Sequence, residues 1–556
     1  MLRYLRIPLG APLRAKARRQ AKEALAAAAD CRGAQRRTRD RVLGLNQESR
    51  FAKARGLRRG MSTVDFRAAI GVSPYEVFAD AIDAVKAGDP DALLGRGNPL
   101  VMFALSSGTT NVSKFVPITR PFVQDYRRGW QVWGIQTLDA RPASHVGHFF
   151  QIASNYDRFR TEAGVPCGNI SGLVQSMQSP VVRTMYSVPN ACMRIADGEA
   201  KYYTALKFGL ADGNVATAMT ANPSTLVLLA ETVGRRSEEL IRDLHDGTLA
   251  VRDKIAGDVW AKYGRLFSRR RRGRARRLAA MAERRGFLSP EDFWPRLQTL
   301  AVWTGGSCAA YLDPLRRAFP GVTVRDHGLS ASEGRMTIPI DDETPSGVLD
   351  VLSHYFEFIP VEEIDSPDPT VLEAHELVEG REYFILLTTP SGLTRYDIHD
   401  VVLCTGFHGT TPLLAFRHKG AYIASVTGEK LTESQVVAAV AEALRGRDHR
   451  VLNFTVCPEW GDPPGYRLLH EERDAAFEPA VLADIDARLV RENEEYAEKR
   501  QSGRLAELSA LPIPDGTWRK FMAKRQSGPG GSAEQYKHPC LMPSLEFLPE
   551  FRREFL

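Results

Sequence analysis

The residues whose reading decides the fold are Leu100-Val101-Met102-Phe103-Ala104-Leu105-Ser106-Ser107-Gly108-Thr109-Thr110. Six apolar residues in succession read as a short strand buried on both faces. The run continues straight into a glycine set among four hydroxyl side chains. In such a loop, hydroxyls and freed backbone N–H groups donate to phosphate oxygens, and Gly108 lets the backbone approach closely. Lys114 adds a positive charge. The spacing is not that of the G-x-x-x-x-G-K-[ST] phosphate loop, so taken alone the stretch indicates only a loop able to hold phosphate.

Working outward, apolar runs at 300–303, 322–324, 383–387 and 401–404 read as further strands. They alternate with helical patterns at 223–244 and 311–319, which predicts an α/β architecture with helix-covered sheets. Residues 12–60 read as polar helix. A turn at Gly409–Pro412 opens the expected domain boundary, dividing a large α/β domain (1–417) from a smaller α+β cap (418–556). The cap is expected to hold a helix at 433–444, a strand near 451–456, a charged helix at 479–499 and a flexible Ser-Gly-Pro loop at 527–532.

A chain of 556 residues exceeds one ordinary core, and 43% hydrophobic with 25% charged residues is a globular balance. No segment approaches the roughly 20 apolar residues of a membrane span. Residues 1–22 are basic, but Pro8 and Pro12 interrupt their apolar segment, so a solvated helix is expected in preference to a targeting segment. The seven cysteines are scattered without Cys-x-x-Cys spacing, which favours a reducing, cytoplasmic setting over disulfides or structural zinc. His145 and His148 lack an evident third ligand, and Cys308 an evident base. The net charge of +7 is concentrated in SRRRRGRARR at 268–277. With Trp260, Tyr263, Phe267, Leu278 and Met281 at near-helical spacing, the arginines read as the wet face of one amphipathic helix; an anionic partner is the alternative.

Four further stretches carry chemistry. In Gly328-Leu329-Ser330-Ala331-Ser332-Glu333-Gly334 a glutamate among small residues can reach a magnesium ion held by phosphates. Gly305-Gly306-Ser307 allows a flat ring to lie against backbone. Arg395-Tyr396-Asp397-Ile398-His399-Asp400 ends at a strand, where a carboxylate can accept both ribose hydroxyls, and Gln535-Tyr536-Lys537-His538-Pro539 places a lysine on the cap. Such a lysine can neutralise charge developing on a transferring phosphate. Tyr126, Trp130 and Trp133 read as core or as walls of an acyl pocket.

Together these stretches resemble one family, the plant auxin-responsive Gretchen Hagen 3 acyl-acid amido synthetases and their bacterial relatives, within the adenylate-forming superfamily. The resemblance runs from about Leu45 to the C-terminus. It rests on SSGTTNVSKFVP at 106–117, Asn222 to Leu226, Ser330 to Gly334, Tyr355-Phe356-Glu357-Phe358-Ile359-Pro360, Gly392 to Asp400 with Thr405 to His408, and Gln535 to Lys537. It implies that Ser106, Ser107, Thr109 and Thr110 hold ATP phosphates, that Ser330, Ala331 and Ser332 flank adenine, and that Tyr396 and Asp400 contact the nucleoside, Asp400 at the ribose. Glu333 is then the magnesium ligand and Lys537 the α-phosphate lysine. Asp397 and His399 replace an Arg and a Gly of the plant pattern, and His538 and Cys540 alter the segment after Lys537. The implied reaction adenylates a carboxylic acid with ATP and magnesium, releases pyrophosphate, and passes the acyl group to an amine, expected to be an amino acid. An acyl–coenzyme A ligase and a nucleic-acid-binding protein using the arginine run are the alternatives; no specific nucleic-acid partner is expected.

Overall fold

The computed structural model describes residues 6–107, 113–364, 366–420, 423–427, 429–445, 447, 453–474, 477–527 and 536–556. Strands His148–Gln151, Val215–Met219, Thr299–Val302 and Thr323–Asp326 pair in that order as a parallel sheet. Every residue of the two central strands is buried, which is why they show no polar alternation. Helix Pro223–Asp246 shares their core. Asn222 caps its first turn, Pro223 opens it, and Gly247 closes it at φ 78°, a left-handed conformation that glycine adopts without strain.

A second, seven-stranded antiparallel sheet has Tyr355–Pro360, Glu382–Thr388, Tyr396–His408 and Thr411–Lys419 as successive neighbours. Gly409 and Thr410 form the hairpin turn between the last two of these strands. The core of this sheet also takes in Leu100–Ser107, which pairs antiparallel with Ser113–Thr119 and so sets Lys114 opposite Ser106. Beyond residue 423 a separate core forms. Helices Glu433–Ala443 and Pro479–Glu492 pack there on strands Phe454–Glu459, Gly465–Glu471 and Ser509–Ile513. No helix among the described residues is long and apolar enough to cross a membrane. All seven cysteines are buried free thiols.

Three local expectations are corrected. The arginine run is not one helix. Gly257–Phe267 ends before it, residues 268–271 are non-helical, and Arg272–Arg285 begins a second helix. In this break Arg271 N–H donates to Leu244 O, and Trp260 and Leu278 lie on different helices. The expected 479–499 helix breaks at Asn493, whose side chain accepts from Tyr496 N–H and starts Glu494–Gln501. The N-terminal helix Arg6–Ala28 is not simply solvated: Ala17, Ala21 and Ala24 pack with Val132 and Trp133, and Arg18 pairs with Asp139.

The aromatic motif at 355–360 has a structural task. Glu357, 1% exposed, accepts at 2.8 Å from Arg395 Nε and at 2.8 Å from Arg67 Nε. Arg395 also donates to Ile70 O and is itself 4% exposed. Removing one partner from a buried ion network leaves the others uncompensated. Glu357→Ala is therefore expected to destabilise the protein by about 3–5 kcal/mol, measured as a fall in the urea midpoint at unchanged slope.

Candidate active site

In open α/β sheets, ligands sit outside the C-terminal ends of parallel strands. Here those ends carry Asn222, Trp303 to Gly306, and His327 to Ser330. Asp326, at the end of the edge strand, ties two of these loops together. One carboxylate oxygen accepts from Thr304 N–H and Thr304 Oγ, each at 2.6 Å, and the other accepts from Gly328 N–H at 2.6 Å. Burial pushes the Asp326 carboxyl up to about 6, and the three hydrogen bonds pull against that.

The hairpin Ser330–Ala331/Gly334–Arg335 follows, and Ser332 Oγ donates to Leu105 O at 3.3 Å, joining this turn to the strand before the hydroxyl-rich loop. Glu333 at its tip is 7% exposed. Burial raises its pKa, Lys419 and Lys114 oppose the rise, and Asp400 adds to it, so all four charges share one neighbourhood. Lys114 Nζ lies 5.3 Å from the centre of the Tyr75 ring. Gly108, Thr109 and Thr110 lie outside the described residues, as do the side chains of Ser106 and Ser107.

Asp400 lies directly across the antiparallel pair from Lys419, whose Nζ donates to Asp400 Oδ1 at 2.6 Å. Tyr396, 1% exposed, packs against Tyr75 and Phe78, and burial raises its phenol pKa. His399 takes φ 56°, and its N–H donates to Asp397 at 2.7 Å, so the two departures from the plant pattern form one local turn.

The C-terminal segment reaches this crevice. Asn222 Nδ2 donates to Tyr536 O at 3.1 Å, and Lys537 Nζ stands 4.3 Å from the Trp303 ring centre and 4.9 Å from that of Phe416. Phe416 also abuts Gly306, where an added Cβ would meet its ring at 2.7 Å and the φ is 58°. Lys537 and the Gly305-Gly306 turn thus meet around one aromatic side chain. Gln535 is outside the described residues.

The three aromatic candidates divide. Trp133 is 2% exposed and donates from Nε1 to Asp326 O at 2.8 Å, a core pillar beneath the loops. Tyr126 is 7% exposed and stacks on Phe122. Trp130 is half-buried, with the Arg335 guanidinium 4.3 Å from its ring centre. Sequence reading missed Arg335 and Lys419. Arg335 is 1% exposed, and its Nε and Nη1 have no hydrogen-bond partner among the described residues, nor has His327 Nε2 beside it. Its position two residues after Glu333 was the available signal. For Lys419 only the strand register was informative. His145 and His148 pair with Asp139 and Asp212, and no metal-ligand cluster occurs among the described residues.

Lys537, the Gly305-Gly306 turn and the loops after the parallel strands thus gather in one place. The chain belongs to the GH3 family: residues 20–324 match its N-terminal domain, 347–419 its central domain and 434–546 its C-terminal domain. The probable indole-3-acetic acid-amido synthetase GH3.12 of Oryza sativa subsp. japonica is 25% identical, over 93% of this chain and 92% of that protein. The jasmonoyl--L-amino acid synthetase JAR4 of Nicotiana attenuata is 24% identical over 92% and 91%. The solved GH3.15 acyl acid amido synthetase superposes with a TM-score of 0.82 at 20% identity, over 96% of each chain, and shares the fold.

Glu433 ties the C-terminal segment from the other side, accepting from Cys540 N–H at 2.8 Å. Burial pushes its carboxyl up to about 7 from an ordinary 4.5. A raised folded-state pKa means the favourable contribution belongs to the protonated form; it is present below about 4.5 and lost as pH rises through about 7. Relative to Glu433→Gln, the parent protein should therefore lose stability across that interval, by at most on the order of 3 kcal/mol. Urea midpoints of the pair at several pH values measure the difference.

Proposed function

We propose that this chain is an ATP-dependent acyl-acid amido synthetase. The observation that carries the reading is the meeting of Lys537 with the strand-end loops, in a chain that matches the three GH3 family domains at 20–324, 347–419 and 434–546. In the first half-reaction a substrate carboxylate oxygen attacks the α-phosphorus of ATP, and the bond from that phosphorus to the pyrophosphate oxygen breaks. Lys537 neutralises charge on the α-phosphate, Asp400 and Lys419 address the ribose side, and the hydroxyl-rich loop with Lys114 holds the departing phosphates. Acceleration comes from positioning and charge neutralisation. In the second half an amine nitrogen attacks the acyl carbonyl, loses its proton, and AMP leaves.

Magnesium fits this donor set. The ion prefers few carboxylates together with substrate oxygens, and Glu333 offers one buried carboxylate flanked by cations that also suit phosphate. When bound, it neutralises phosphate charge. The acyl group is placed beside Trp130, where the unpartnered donors of Arg335 favour an acid with an acceptor to offer them. The relatives' names speak of auxin and jasmonate conjugation, which supports a small carboxylic acid and an amino acid as the substrate classes. Residues 418–556 are proposed to act as the cap that brings Lys537 in and later withdraws it.

The test separates the half-reactions. With a cognate acid the protein should exchange radiolabelled pyrophosphate into ATP, and Lys537→Ala should slow that exchange by about 10²–10³. Amide formation from a chemically prepared acyl-adenylate should be nearly unaffected, with ATP affinity and circular dichroism unchanged. Release of ADP and phosphate in place of AMP and pyrophosphate would overturn adenylation. Equal damage to both halves would remove Lys537 from its role.

A further inference from the structure

A cavity of about 550 Å³ opens at the other end of the parallel strands from the candidate active site. Ala211 and Asp212 line it just before strand Val215–Met219, and His148 lines it at the start of the neighbouring strand. The candidate active-site loops follow the opposite ends of these strands. Five residues of strand, about 16 Å, separate the two levels.

The lining is amphipathic. Arg183, Arg269 and Arg271 supply the charged part, and Phe208 and Leu266 the partly exposed apolar part. Arg183 is held in place by its own donations, from Nε to Gln178 O and from Nη2 to Ser176 O. Arg269 and Arg271 stand on the non-helical stretch 268–271, and neither has a carboxylate partner among the described residues. Asp212 is the one acid among the lining residues, and it is engaged by His148 Nδ1. Lys207 adds a further cation, its Nζ donating to Thr248 O and Phe267 O. A recess with cations in clear excess of acids, over an apolar floor, is complementary to an anion with an apolar body and not to a solvated surface. The interruption of the arginine run is what places two of its members at the rim.

We propose that this cavity is a second ligand site, for a small organic anion with a carboxylate, sulfonate or phosphate head and an apolar body, bound independently of the nucleotide. The head pairs with Arg183, Arg269 and Arg271, and the body lies on Phe208 and Leu266.

The probe is 8-anilinonaphthalene-1-sulfonate, titrated against the full chain with and without saturating ATP and followed by fluorescence. One saturable, salt-weakened event that ATP leaves in place is expected. The Arg269→Gln/Arg271→Gln variant and, separately, Arg183→Gln should weaken it by about tenfold or more, as lost charged hydrogen bonds do. Ala211→Trp should abolish it by filling the cavity. ATP-pyrophosphate exchange without the probe should match the parent in the arginine variants. Should Ala211→Trp fail to fold, the arginine variants decide. Absence of saturable binding, unchanged affinity in the arginine variants, or displacement by ATP would overturn the site, and inorganic sulfate competing as well as the dye on a molar basis would overturn its apolar half.

Discussion

The Asp326 carboxylate is the constraint on which the candidate active site rests. It accepts three hydrogen bonds at 2.6 Å, from two loops that leave different strands. A carboxylate this buried is costly unless its lone pairs are met, so the loops are held wherever they satisfy it. Its own backbone carbonyl takes the Trp133 indole N–H, which extends the tie to helix Arg120–Ala140. Gly305, Gly306, Gly328 and the Glu333 hairpin inherit their positions from that arrangement.

The C-terminal segment is attached more lightly. Asn222 to Tyr536 is one neutral hydrogen bond, and the Lys537 ammonium adds contacts with two aromatic rings. Such contacts are worth about 0.5–2 kcal/mol each. The contrast with Glu357, buried between two arginines, is physical: a scaffold ion network is expensive to break, whereas a lysine over two rings is not.

Much of the α/β framework was legible because its strands are short apolar runs punctuated by turn residues. The 300–303 run became Thr299–Val302, and 383–387 became Glu382–Thr388. The helix read at 433–444 is Glu433–Ala443, opened by a Thr432–Gln435 capping box. Errors came where periodicity continued across a break. Nothing in the spacing of Trp260, Phe267 and Leu278 signals that the helix breaks at 268–271, because Arg and Ser are tolerated both in a helix and outside one. Asn493 was the missed cap in the charged C-terminal helix pair.

By itself the sequence determined the family and the α/β class, because strand ends, glycine turns and apolar runs are set by neighbours along the chain. Only the tertiary structure decided which charges meet. Lys419 reaches Asp400 because an antiparallel register puts them opposite, and Arg335, packed against Trp130 and His327, has two donors without a partner among the described residues. Lys537 reaches Trp303 across more than two hundred residues of chain. The arginine run likewise came to line a cavity only because the chain leaves the helix between residues 268 and 271. These are distances in space between residues remote in sequence, and one-dimensional spacing carries no information about them.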